Sequence, residues 1–333
     1  MTILFATHPR YLDHDTGAWH PERPARLGAV LEGAEHAGLG AELVRVEPRP
    51  ATPAEVERVH PRVFVDAMER FCASGGGNID GDTVAVPASW SAALLSAGAG
   101  LDAVERLDRG EGDAAFLAVR PPGHHATPER AMGFCLLSNV AITAAALADR
   151  GERVLIVDYD AHHGNGTQAA VEHDPRIMYV SMHEWPLYPG TGALHETGRV
   201  PGTRTVVNFP FPAHTTGDIY RIALEVVVRP VAEAFAPTWL LLSAGFDGHR
   251  EDPLTGLGLS SGDYADLTAD LLALVPPGRR IVYLEGGYDL DALRDSTAAC
   301  LSAMAGDPLH PERPTRGGPG RDVVDEVALL HLG

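Results

Sequence analysis

The sequence predicts an α/β fold: one domain built on a central, mostly parallel sheet flanked by helices. Short β-rich runs alternate with longer alanine- and leucine-rich stretches along the 333 residues, the pattern of successive βα units. Polar residues also gather directly after several apolar runs, which is where an open parallel sheet binds its ligands, beyond the carboxyl ends of the strands. With 45% apolar residues the chain can bury a continuous core.

In chain order the expected strands are Ile3 to Ala6, Ala115 to Val119, Val154 to Asp158, Ile177 to Ser181, Leu240 to Ser243 and Ile281 to Leu284. Expected helices fill Pro24 to Ala37, Ser89 to Leu107, Leu137 to Asp149, Ile219 to Phe235 and Tyr264 to Leu274. No long Gly/Ser linker separates them, and Gly75-Gly76-Gly77 is too short for an interdomain tether, so residues 1–333 read as a single domain. His-Pro-Glu-Arg-Pro occurs twice, at His20 to Pro24 and His310 to Pro314, but the flanking sequence does not repeat. The stretch 308–333, rich at its start in proline, glycine and arginine, is expected to run irregularly over the surface.

Composition excludes some partners. Lysine and arginine number 26 against 45 acidic residues, a formal charge of -19 that repels a phosphate backbone and favours a cationic substrate. Cys72, Cys135 and Cys300 are odd in number and lie in apolar contexts, as reduced, buried thiols do, so the expected compartment is cytoplasmic. There is no basic-then-apolar leader pattern and no run of 18 apolar residues, so no membrane span is expected.

Four apolar runs end in chemistry-bearing residues. Val154 to Val157 leads into Asp158-Tyr159-Asp160-Ala161-His162-His163-Gly164-Asn165, and Leu242-Ser243 into Gly245-Phe246-Asp247. Ala115 to Val119 precedes Arg120-Pro121-Pro122-Gly123-His124-His125, and Ile281 to Leu284 precedes Glu285-Gly286-Gly287-Tyr288. One Asp or His at a strand end is ordinarily a helix cap or a surface residue; four such ends together point to a site. Asp160 and His162, two apart, can project to the same side of an extended segment. With Asp247 they make two carboxylates and one imidazole, a set that neutralises a divalent cation and leaves positions for water and substrate. Zinc suits this mixture; iron, cobalt and manganese stay open because geometry and supply decide occupancy. Asp158 and Asn165 can orient His124 and His125, and because a carboxylate raises imidazole basicity more than a carboxamide, the two rings should differ in proton affinity. Tyr288, after two glycines, can turn its hydroxyl toward a developing oxyanion.

Together, Arg120 to His125, Gly133-Phe134-Cys135, Asp158 to Gly166, Tyr188-Pro189-Gly190-Thr191-Gly192, Gly245-Phe246-Asp247 and Leu284 to Tyr288 resemble the zinc-dependent histone deacetylase family, which includes acetylpolyamine amidohydrolases. His20 to Pro24, Asn165, Phe246 and Glu285 to Tyr288 are similar to its class II branch. The resemblance implies an arginase/deacetylase-type fold and one catalytic zinc on Asp160, His162 and Asp247. It also implies a catalytic pair, His124 and His125, with partners Asp158 and Asn165, and an oxyanion-stabilising Tyr288. It implies a narrow tunnel bordered by Gly133, Phe134, Tyr188, Leu254 and Gly286, with Tyr188 departing from the commoner phenylalanine. A potassium site at Asp158, Asp160, His162, Ser181 and Met182 is implied as well. The expected reaction removes an acetyl or related acyl group from acyl-lysine or a small acylated amine. Leu254 stands where polyamine-selective relatives can carry an acid, so acyl-lysine or a small neutral amide is the first expectation, with acetylpolyamine as the alternative and Glu184 and Glu251 as acids that keep it open. A binuclear manganese ureohydrolase would need an aspartate where Gly164 stands. A non-catalytic acyl-lysine or small-molecule binding protein is the reading of another class. Homo-oligomerisation is left open.

Overall fold

The computed structural model describes residues 1–333. The strands are β1 (Ile3–Ala6), β2 (Leu43–Val46), β3 (Gly77–Asn78), β4 (Val84–Ala85), β5 (Ala114–Leu117), β6 (Val154–Asp158), β7 (Ile177–Glu184), β8 (Val206–Phe211), β9 (Trp239–Ala244) and β10 (Arg280–Leu284). β3 and β4 form a small antiparallel pair. The other eight form one sheet in the order β2-β1-β5-β10-β9-β6-β7-β8, every neighbouring pair parallel. All residues of β1, β5, β6, β7 and β9 are buried, as a parallel sheet covered by helices requires.

The helices are α1 (Ala25–His36), α2 (Pro53–Val56), α3 (Arg62–Ala73), α4 (Ser89–Asp108), α5 (Asn139–Asp149), α6 (Asn165–Val171), α7 (Gly217–Ala223), α8 (Arg229–Phe235), α9 (Ser261–Leu272), α10 (Leu290–Ala305) and α11 (Arg321–Leu332). Two helical groups pack within themselves, α10 with α1 and α9, and α4 with α3 and α5. No helix is long and apolar enough to cross a membrane. The three cysteines are free and buried.

Every expected strand and helix forms, with ends shifted by a few residues. The helix expected over Ile219 to Phe235 has a π turn, Leu224–Val228, between α7 and α8. Pro230 explains it: proline lacks the N–H an α-helix would use there and its ring crowds the preceding turn, which a wider turn relieves.

Several elements escape the sequence pattern. β2 and β8 are the sheet edges, where Arg45 faces out of one and Pro210, with no N–H to donate, sits in the other; neither reads as an apolar run. The expectation that 308–333 is irregular is corrected over its second half. After Gly320, whose φ of 109° suits glycine, α11 forms and buries Val324 and Val327 fully against β8 and the π turn. Residues 308–320 are irregular but fixed: Glu312 accepts from His249 Nε2 (2.6 Å), and Thr315 N donates to Asp263 (3.0 Å). The two His-Pro-Glu-Arg-Pro copies lie in unrelated surroundings, since Glu22 is fully buried beside Arg26 and Arg120.

Candidate active site

The strand order gives the site its position. β5, β10, β9 and β6 are consecutive neighbours in the middle of the sheet, and they are the four strands whose ends carry the polar motifs. Residues separated by up to 164 positions in sequence, His124 and Tyr288, are thereby brought to one sheet edge.

At the floor, Asp160, His162 and Asp247 place one ligand atom each within 4.8 Å of one another. His162 Nδ1 lies 2.8 Å from Asp247 Oδ2 and 3.2 Å from Asp160 Oδ1. Each carboxylate is also gripped by backbone: Gly286 N donates to Asp160 Oδ2 (2.8 Å), His162 N to Asp160 Oδ1 (2.9 Å) and Ala161 N to Asp247 Oδ1 (2.8 Å). The first and last of these bonds join the end of β6 to those of β10 and β9, so the donor set is held before any ion arrives. Burial and the Asp160 charge push Asp247 up to about 7. Burial opposes protonation of His162, but Asp247 and Asp160 outweigh it and raise its pKa well above the usual range. A buried imidazole facing two carboxylates needs a positive charge between them; a proton supplies one and a divalent cation would supply two. The residues present therefore fit a metal.

Beside this set, the His124 and His125 rings lie with centres 4.0 Å apart, tilted by 43°. His124 Nδ1 pairs with Asp158 Oδ2 (3.1 Å), and His125 Nδ1 pairs with Asn165 Oδ1 (2.8 Å). Burial disfavours the charged form of both rings. For His124 the Asp160 and Asp158 carboxylates overcome it and lift the pKa to about 10. His125, with His124 and His162 as added repulsive neighbours, is held well below the usual range, so its ring is neutral.

The tunnel is a cavity of about 260 Å³ lined by Pro21, Asp82, His125, Gly133, Phe134, His162, Leu187, Tyr188, Leu254 and Tyr288. Its bottom is His125, His162 and Tyr288; its walls include Phe134, edge-on to Tyr288 at 5.8 Å, and Tyr188, edge-on to His125 at 5.1 Å. Gly133 has φ of 56°, and a Cβ there would lie 2.4 Å from the His125 ring, so only glycine lets the wall approach. Gly286 lies behind the wall, donating to Asp160. Glu184 and Glu251 do not line the cavity: Glu184 accepts from Gly256 N (2.6 Å), and Glu251 faces Arg250. The acid at the mouth is Asp82, from the β3–β4 turn. A larger cavity of about 490 Å³ lies beyond Asn165, but its buried His163 and Gln168 and half-buried Glu196 bond to one another and to backbone and leave no convergent reactive groups. Asp158 and Ser181 are register partners in β6 and β7, while the Met182 carbonyl accepts from Tyr220 Oη (3.2 Å).

Sequence reasoning missed several supports. Tyr179 Oη donates to Asp158 Oδ2 (3.1 Å). Glu285 Oε2 accepts from Gly123 N (2.7 Å) and His124 N (3.1 Å), tying the His124-His125 loop to the end of β10; burial raises its pKa to about 7. Arg26 donates to the carbonyls of Gly287 (2.6 Å) and Glu285 (2.5 Å) and sits 5.0 Å from the centre of the Tyr288 ring. Its place inside the expected first helix gave no functional signal, whereas Glu285 stood within a motif and could have been asked what it holds.

Gly164 also separates two metal chemistries. A Cβ at Gly164 would meet Asp158 Oδ2 at 2.2 Å and Tyr179 Oη at 2.5 Å, so the place where a second carboxylate ligand would stand is closed.

The pattern of the histone deacetylase domain matches residues 20–304. A protein named "Probable deacetylase" from Archaeoglobus fulgidus is 37% identical over 306 residues, covering 90% of this chain and 85% of that one. "Histone deacetylase 10, chloroplastic" of Oryza sativa subsp. japonica is 35% identical over 361 residues, covering 99% and 81%. The crystal structure of the HDA15 HD domain superposes with a TM-score of 0.92 at 35% identity, covering 100% of this chain and 96% of that one. A parallel sheet with this edge, in a chain matched over nine-tenths or more of its length by such relatives, places it in the histone deacetylase family, as a hydrolytic deacetylase.

Proposed function

We propose that this deacetylase uses one zinc ion, held by Asp160, His162 and Asp247, to remove acetyl or related acyl groups from acyl-lysine or a small acylated amine. The observation that carries the reading is the convergence of His125, His162 and Tyr288 at the bottom of one narrow cavity. Zinc, when bound there, would supply Lewis-acid polarisation of the acyl carbonyl and acidify water. Neutral His125, its far nitrogen occupied by Asn165, takes the proton of the attacking water. Tyr288, whose phenol burial keeps protonated, donates its O–H to the oxyanion that develops on the carbonyl oxygen. The C–N bond breaks as the imidazolium returns its proton to the amine, giving a carboxylic acid and a free amine. His124, held by Asp158, contributes positive charge beside the reacting centre.

Replacing Tyr288 by Phe should lower turnover of an acetyl-lysine peptide about 10²- to 10³-fold; turnover at the wild-type rate rejects the role. An acetylpolyamine is the second reading, favoured by Asp82 at the cavity mouth and opposed by Leu254 beside it. Turnover of acetyl-lysine peptides and acetylated polyamines by the same zinc-loaded preparation decides between them, and inactivity on both would favour a non-catalytic binding protein. The potassium site is a further proposal, supported by the adjacency of Asp158 and Ser181. Three free, buried cysteines support a reducing compartment such as the cytoplasm.

A further inference from the structure

Tyr288 follows Gly286-Gly287, and Gly287 has φ of 117°, so the backbone carrying the phenol can swing unless something ties it. Arg26 ties the carbonyl side of the turn. The N–H side is tied by Asp252, which is neither a metal ligand nor a proton-transfer group. Asp252 Oδ2 accepts from Tyr288 N at 2.7 Å and Asp289 N at 3.4 Å. Its other oxygen, Oδ1, accepts from Leu254 N at 3.0 Å, and its own N–H donates to the His249 carbonyl at 2.8 Å. The residue is only 7% exposed, so these bonds do not compete with bulk water.

One carboxylate therefore holds two parts of the tunnel: the bottom, through Tyr288, and the rim, through Leu254, both of which line the cavity. The same loop begins at Asp247, whose carbonyl accepts from Thr255 Oγ1 and closes the segment on itself. We propose that Asp252 is a positioning residue that fixes the Tyr288 hydroxyl for the oxyanion and couples its place to that of the Leu254 rim. The inference rests on the reading of Tyr288 as the oxyanion donor. The carboxylate matters because it has acceptors on both sides. A carboxamide turns one of them into an N–H donor that must face either Leu254 N or Tyr288 N.

The test is a double-mutant cycle on the zinc-loaded full chain, reading kcat, KM and zinc content with an acetyl-lysine peptide for wild type, Asp252→Asn, Tyr288→Phe and the double variant. Asp252→Asn should lower kcat about 10- to 100-fold, as loss of an orienting partner does, with KM within about threefold and zinc content unchanged. In the Tyr288→Phe background the same change should cost less than about threefold, because the group it positions is already gone. Wild-type kcat in Asp252→Asn overturns the inference, as does an equal loss in both backgrounds, which would mark a role independent of Tyr288. Wild-type turnover of Tyr288→Phe alone sinks the Tyr288 reading instead, so the two failures are distinguishable. If Asp252→Asn does not fold, Asp252→Ser, which keeps one acceptor oxygen, is measured against the same criteria.

Discussion

The floor of the tunnel and its rim are made differently. The floor comes from four adjacent strand ends, and its carboxylates are gripped by backbone N–H groups of neighbouring strands, Gly286 on Asp160, Ala161 on Asp247 and Gly123 on Glu285. The rim comes from loops: Pro21 before α1, Asp82 in the β3–β4 turn, Leu187 and Tyr188 after β7, Leu254 after β9. Tyr188 is 37% and Leu254 36% exposed, while Asp160 and Asp247 are fully buried. If the buried floor carries the proposed reaction and the exposed rim selects what enters, changes in the two places should have different signatures.

The largest break is expected at the floor. Asp247→Asn removes a charge from a buried donor set and should take zinc content and turnover to background together; full zinc with wild-type turnover would show that the floor does not hold the metal.

A second break concerns the support beneath the rim. His60 Nδ1 donates to the Pro128 carbonyl (3.0 Å) and Nε2 accepts from Ser138 N (2.9 Å), clamping the segment that carries Gly133 and Phe134. Burial lowers the His60 pKa from 6.5 to about 4. The unfolded chain thus takes up this proton first as pH falls, and stability that is whole above 6.5 is lost between 6.5 and 4, by up to roughly 3 kcal/mol for this group. Urea unfolding at pH 7 and pH 4.5 should show a smaller acid loss in His60→Gln than in wild type; an equal loss would remove His60 from the account.

Glu285→Gln sharpens the floor further. It keeps an acceptor oxygen for the two N–H bonds that hold the His124-His125 loop but removes the carboxylate charge that helps keep His124 protonated, and should lower kcat about 10-fold while zinc is retained; an effect confined to KM would place Glu285 with the rim. Leu254→Glu is the smallest step, shifting the kcat/KM ratio toward acetylated polyamines over acetyl-lysine peptides by a few-fold through an exposed charge. A fall in kcat alone for both substrates would blur the floor-and-rim distinction.

Which of these regions the sequence reveals follows from how each is built. Floor residues sit in short contiguous motifs directly after apolar runs, so Asp158, Asp160, His162 and Asp247 were legible before the strand order was known. β6 matched its expected bounds because a buried parallel strand is an unbroken apolar run. The adjacency of β5, β10, β9 and β6 was not legible, since crossover connections leave no local trace. Edge strands β2 and β8 hid behind polar or proline residues, and α11 behind a proline- and glycine-rich approach. Arg26 and Asp252 were missed because each acts on residues far away in sequence through bonds that only the folded chain creates, and Asp82 because only folding brings the β3–β4 turn to the cavity.

The proposed centre is one metal on Asp160, His162 and Asp247 serving a deacetylase tunnel. Titrating zinc into metal-free protein while following acetyl-lysine peptide hydrolysis tests it most directly. Activity should rise linearly and level at one zinc per chain. Activation that requires two manganese ions per chain, or no hydrolysis at any metal load, would contradict it.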